Sequence, residues 1–356
     1  MKIIHCSDLR LDSAMESALS AVKAQERNAE ICRTFSRMAE YAAGNGVTVV
    51  LIAGDLFDAG RITSRTADYL LSIIEQQSAV DFLYLRGSRE ESKRAFMGRD
   101  LPKNLKTFSD EWTYYQYGEV RIAGTELTDE YEDIYDALLL NKDTINIVMM
   151  YGQTAPKCGQ NLVCLPKLRK KKIDYLALGS LHSYQTGELG QDSIFCYPGC
   201  LEGHGFDECG EKGFVLLETD GGKLTHSFIP FAQRMFFDVP VDITGLVTAE
   251  ELQKAMETAA ESIAPEHLVR FTLRGTYTLE TQKDFRRLLS RLEGNRYFVE
   301  IQDESRLDLP RESYAYDISL RGEFIRTVMA SGKSDGEKEE IIRWGMQALN
   351  GKEIVL

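Results

Sequence analysis

VTVVLIAGDLFD (Val47–Asp58) begins with seven residues in which only Thr48 is polar, then turns at Gly54 and presents two carboxylates, Asp55 and Asp58. Such a short, branched, nearly unbroken apolar run reads as a strand covered on both faces. Alone, Gly-Asp-x-x-Asp is more often a turn with capping carboxylates than a ligand loop. Its company changes that. Lys2–Cys6 is followed by Asp8-Leu9-Arg10 and Val80–Leu85 by Gly87-Ser88-Arg89-Glu90. Ile145–Met150 is followed by Tyr151-Gly152-Gln153, and Asp174–Leu178 by Gly179-Ser180-Leu181-His182. In open α/β sheets ligands bind beyond the carboxyl ends of strands, so five such loops are expected to converge on one crevice.

Helical periodicity fills the gaps. Ile31, Phe35, Met38 and Ala42 recur at three- and four-residue steps before Gly44 and Gly46, and Ala67, Leu70, Leu71 and Ile74 repeat the arrangement. Beyond about residue 231 the grammar shifts to an α+β unit. Strands are expected at Val239–Ile243, Leu268–Leu273 and Arg296–Gln302, and helices at Ala249–Ile263 and Gln282–Leu292. From about Asp303 the composition turns linker-like. Helices then follow at Ile318–Met329 and Glu337–Leu349, the last with Ile341, Ile342, Met346 and Leu349 on one stripe. That stripe either packs back on the protein or presents a helix to a partner's groove. The expected organisation is a core over 1–230, an α+β domain over 231–305, and a linker with docking helices over 306–356.

The five segments, in order, resemble the calcineurin-like metallophosphoesterases, and within them the SbcD-type DNA-repair exonuclease subunits. Tyr197-Pro198-Gly199 and Gly210-Glu211-Lys212-Gly213-Phe214 resemble the same branch. The resemblance implies an α/β fold: a metallophosphoesterase-type β-sandwich flanked by helices, a small α+β capping domain, and C-terminal helices that dock on an SMC-type ATPase. That family usually reads Asp-x-His, Gly-Asp-x-x-Asp, Gly-Asn-His-Asp/Glu, His-Gly and Gly-His-x-His at these places. By resemblance, one metal would be held by Asp8, Asp55 and His182, with Arg10 where an imidazole is expected. The second would keep only Asp55, because Ser88, Tyr151 and Ser180 stand at the other ligand positions. Arg89 stands at the catalytic histidine's position.

The chemistry of these residue types leads the same way. Two-metal hydrolysis uses paired cations to clamp the attacking and leaving oxygens and to bring a bound water's pKa to about 7. Carboxylate and neutral imidazole hold such ions, whereas a guanidinium is always charged, only donates, and repels a cation. The expectation is that Arg10 and Arg89 compensate Asp8 and Asp55 in place of ions. Loss or strong reduction of hydrolysis follows, leaving a scaffold for an ATPase and for DNA. Two alternatives stay open: hydrolysis with one Mn²⁺ or other divalent ion on Asp8, Asp55 and His182, or a phosphate gripped by Arg10 and Arg89 with no ion at all.

The formal net charge of −13 argues against strong unaided DNA binding, which rests on neutralising phosphates. The one tight basic run, Arg169–Lys172, reads as a solvated helix end. No run of about 18 apolar residues marks a membrane span. Seven scattered cysteines without a Cys-x-x-Cys pair fit a reducing, cytoplasmic setting. No Gly-rich phosphate loop of the Walker type is present. His5 reads as core, and His204 and His226 show no ligand spacing.

Overall fold

The apolar runs become the middle strands of two mixed sheets. In chain order the strands are β1 (Lys2–Cys6), β2 (Val47–Ala53), β3 (Asp81–Leu85), β4 (Leu105–Thr107), β5 (Thr113–Tyr117), β6 (Val120–Gly124), β7 (Ile145–Tyr151), β8 (Gln153–Ala155), β9 (Leu162–Cys164), β10 (Tyr175–Gly179), β11 (Gln185–Gly190), β12 (Ser193–Tyr197), β13 (Gly213–Asp220) and β14 (Lys223–Pro230). The computed structural model describes residues 1–15, 19–58, 62–87, 96–126, 133–159, 161–279, 281–308 and 314–349. They fall into two units, Met1–Met235 and Phe236–Leu356.

In the first unit one sheet runs β14-β13-β1-β2-β3-β4 and the other β11-β12-β10-β7-β6-β5. Strands β1 to β4 are mutually parallel, as are β6, β7, β10 and β12, with antiparallel strands added outside them. Alternation along β2 explains its unbroken hydrophobicity. Val49, Leu51 and Ala53 point between the sheets, where they meet Ile147, Met149 and Ala177. Val50 and Ile52 point outward under α1 (Ala21–Gly44) and α2 (Ser64–Gln76), against Ile31, Phe35, Met38, Ala67 and Ile74. The second sheet's outer face, Val148, Met150, Leu176 and Leu178, is covered by Tyr135 of α3 (Asp133–Asp136) and Leu168 of α4 (Leu165–Leu168). Both helices over the first sheet start at hydroxyl caps: Ser20 accepts from the Lys23 N–H and Thr63 from the Thr66 N–H. This is the expected α/β sandwich flanked by helices.

The second unit holds a parallel sheet, β15 (Phe236–Asp242), β16 (Leu268–Arg274) and, beyond the two-residue β17 (Thr276–Tyr277), β18 (Phe298–Asp303). The short β19 (Arg306–Leu307) pairs with β17. Its helices are α5 (Ala249–Ala259), α6 (Phe285–Glu293), α7 (Leu320–Ala330) and α8 (Asp335–Leu349). A capping box between Thr248 and Glu251 starts α5. The terminal helices do not form a separate core. Ile325, Val328, Ile342 and Met346 are buried with Val241, Leu252, Phe271 and Leu288 in one cluster. The two units divide after Met235.

Candidate functional site

The carboxyl ends of β1, β2, β7 and β10 meet, and backbone hydrogen bonds stitch their loops together. Arg10 N–H donates to Asp55 O at 2.9 Å, Leu11 N–H to Leu56 O at 3.0 Å, and Gly152 N–H to Gly179 O at 3.1 Å. The approach is too tight for side chains at the glycines. A Cβ on Gly179 would lie 1.6 Å from Ala53 O, and one on Gly54 2.0 Å from Tyr151 Cδ2. Asp8, Arg10, Asp55 and Ser180 all have positive φ, at 50°, 46°, 35° and 111°. Aspartate tolerates the left-handed region, but Ser180 is held there under strain, which tends to gather at functional sites.

Asp8 is fully buried. Its Oδ2 accepts the Ser7 hydroxyl at 2.5 Å and the Ser180 N–H at 3.1 Å. Its buried Oδ1 accepts no hydrogen bond among the described residues. Burial pushes the Asp8 carboxyl up to about 7; the Ser7 hydroxyl opposes the rise and the neighbouring Asp55 charge adds to it. Tyr151 Oη donates to Asp55 Oδ2 at 2.7 Å. Burial, then the charges of Asp55 and Asp8, hold that phenol far above its usual range, so it stays protonated.

Arg10 is not where the sequence led us to expect it. Its guanidinium Nη1 binds Glu208 Oε1 at 3.1 Å, and it is Glu208, not Asp8 or Asp55, with which it forms an ion pair. The chain leaving β12 carries the buried Glu208 carboxylate to the β1 loop, within hydrogen-bond reach of Arg10. His182 Nδ1 lies 2.5 Å from the same Oε1, and this hydrogen bond raises the imidazole's pKa. Glu208 Oε2 accepts the His204 N–H at 2.8 Å and lies 3.1 Å from His204 Nδ1 and 3.5 Å from Cys200 Sγ. Burial alone would raise the Glu208 carboxyl, but hydrogen bonds from His182 and His204 hold it well below the usual range.

Asp8, Asp55, His182, Tyr151 and Ser180 are therefore brought together, whereas Ser88 and Arg89 lie outside the described residues. His5 is core: it is fully buried and its Nδ1 is 2.9 Å from Tyr175 Oη. Sequence reasoning missed Glu208, Cys200 and His204. The one signal was His204 and Glu208 four residues apart inside the Tyr197–Phe214 stretch.

A two-sheet α/β sandwich that brings Asp8 and Asp55 together at adjacent strand ends, with Tyr151 and Ser180 beside them, has the form of a phosphoesterase scaffold. The calcineurin-like phosphoesterase family matches residues 1–184, and the chain belongs to that family. It is similar to the uncharacterized metallophosphoesterase YhaO of Bacillus subtilis, 22% identical over 302 residues, covering 78% of this chain and 72% of YhaO. It is also similar to the DNA double-strand break repair protein Mre11 of Methanosarcina acetivorans, 22% identical over 268 residues. That match covers 68% of this chain and only 41% of Mre11. A dimetal phosphatase from Danio rerio superposes with a TM-score of 0.43 at 11% identity, over 64% of this chain and 95% of the phosphatase.

The family is metal-dependent. The residues present do not fit its pair of ions: at the second position Tyr151 offers a protonated phenol already bound to Asp55, and Ser180 a neutral hydroxyl. Among the described residues one cluster has its ligand atoms within 4.8 Å of one another, the buried Cys200, His204 and Glu208. No helix among those residues is long and apolar enough to cross a membrane.

Proposed function

We propose that this chain is an SbcD-like repair-nuclease homologue whose two-metal centre is degenerate, with hydrolysis lost or strongly reduced. The reading makes it a DNA- or phosphate-binding scaffold that works with an SMC-type ATPase in the cytoplasm. The observation that carries it is the hydrogen bond from Tyr151 Oη to Asp55 Oδ2. A phenol that donates to the carboxylate expected to bridge two ions holds it as a hydrogen-bonded anion instead. The likeness to Mre11 supports the repair assignment. With a net charge of −13, affinity for DNA would depend on the partner.

The test is metal analysis of protein purified with excess Mn²⁺, paired with a phosphodiesterase and nuclease assay. Fewer than two ions per chain and no Mn²⁺-dependent turnover are expected. Two bound ions, with turnover abolished in Asp55→Ala, would overturn the proposal.

A second reading, hydrolysis with one ion on Asp8, Asp55 and His182, is favoured by the buried Asp8 Oδ1 that accepts no hydrogen bond among the described residues. It requires one tightly bound ion that disappears in Asp8→Asn together with all turnover. A phosphate held by Arg10 and Arg89 is less well supported, because Arg10 already engages Glu208.

A further inference from the structure

We propose that Cys200, His204 and Glu208 bind a single divalent transition ion of the zinc type, beside the Asp8 and Asp55 carboxylates and distinct from them. The donor set is one thiol, one imidazole and one carboxylate, all buried. Thiolate and imidazole together select zinc-like ions over Mg²⁺ or Mn²⁺, which prefer oxygen.

The spacing is close to what such an ion needs. A tetrahedral ion with sulfur at about 2.3 Å and nitrogen or oxygen at about 2.0–2.2 Å separates its ligand atoms by roughly 3.4–3.6 Å. Cys200 Sγ and His204 Nδ1 stand 3.5 Å and 3.1 Å from Glu208 Oε2, and all three atoms lie within 4.8 Å. Shifts of about an ångström would complete the geometry.

Glu208 divides its two oxygens between different tasks. Oε1 faces the Arg10 guanidinium and the His182 imidazole, which stay in place, while Oε2 faces the thiol and the second imidazole. On binding, the Cys200 S–H bond breaks, the sulfur–metal bond forms, and the proton leaves to solvent. His204 gives up its hydrogen bond to Oε2 and coordinates through Nδ1, carrying its proton on Nε2. That nitrogen is buried and has no hydrogen-bond partner among the described residues, so the change of tautomer breaks no existing bond there. A thiol is a weak hydrogen-bond donor, and Cys200 beside a buried carboxylate is better matched by a cation than by its own S–H.

Cobalt(II) is the probe. Metal-stripped full-length protein titrated with Co²⁺ should develop a thiolate-to-cobalt charge-transfer band that saturates at one equivalent. The band should vanish in Cys200→Ser and persist in Cys32→Ser and in Asp8→Asn. X-ray absorption on the unmutated protein gives an answer that does not depend on any variant folding: one sulfur at about 2.3 Å is expected. A cobalt shell of oxygen and nitrogen only, no binding at all, or a band that survives in Cys200→Ser would each overturn the proposal. None of these results bears on whether the Asp8 and Asp55 centre hydrolyses phosphodiesters.

Discussion

Tyr151 stands over Asp55 with its hydroxyl 2.7 Å from Oδ2, at the end of one sheet and the mouth of the other. The ring belongs to the packed interior between the sheets, so the phenol is held from below by apolar contacts and above by a carboxylate. Removing only the oxygen tests the bond without the packing. Tyr151→Phe should cost about 1.5–3 kcal/mol in urea denaturation with chelator present, the range for hydrogen bonds to charged groups. A change under about 0.5 kcal/mol would mean the bond contributes nothing net.

Gly179 sits where β10 passes β2, and a side chain there has nowhere to go. The Cβ of an alanine would lie 1.6 Å from the Ala53 carbonyl oxygen and 3.2 Å from Ser7 Cβ, so backbone must move at the centre of the site. Gly179→Ala should lose more than about 4 kcal/mol or fail to fold. Gly210→Ala is the contrast: its φ is +86°, but nothing lies within 4 Å of the added carbon. Backbone strain of about 1 kcal/mol is all that is expected there. Equal effects in thermal melts would show that crowding at Gly179 is not real.

Asp8 gives the site a pH signature. Its carboxyl moves from 3.8 in the unfolded chain to about 7 in the folded one, because burial and the Asp55 charge disfavour ionisation. The folded state therefore binds the extra proton, and stability falls as pH rises between about 4 and 7. His182 works in the same direction, since its pKa is raised by Glu208: the stability it contributes is present below pH 6.5 and is lost higher up. Glu208, held low, acts only below about pH 4.5 and leaves this window alone. With chelator present, denaturation free energy should drop by on the order of 2–4 kcal/mol from pH 5 to pH 8. Asp8→Asn should flatten most of that slope; an unchanged slope would remove Asp8 as its cause.

The strands were legible because both of their faces are covered. Continuous apolar runs leave little ambiguity, and Lys2–Cys6 and Val47–Ala53 are found residue for residue. The ends at Tyr151 and Gly179 differ slightly, since both residues still pair within their sheet. Asp8, Asp55 and His182 were legible through spacing after strand ends. Glu208 was not, because its partner Arg10 is 198 residues away and only the closed sandwich brings the exits of β1 and β12 together. For the same reason the buried network of Arg27, Glu30, Thr34 and Glu202 left no local pattern.

The last helix shows what periodicity can and cannot decide. A stripe of Ile341, Ile342, Met346 and Leu349 specifies that one face is to be covered, but not by what, and the same residues serve a domain core or a partner's groove; of the four, Leu349 stays exposed. Here Ile342 is 0% exposed inside the second unit's cluster, while Ile318, just ahead of α7, is 100% exposed. Ile342→Ala should therefore cost about 2–4 kcal/mol as a buried truncation. Ile318→Ala should stay within about 0.5 kcal/mol, as exposed substitutions do. Chemical denaturation of the full chain decides between the two roles. If Ile342→Ala left stability untouched, its side chain would be free for a partner and the packing described for α8 would be wrong.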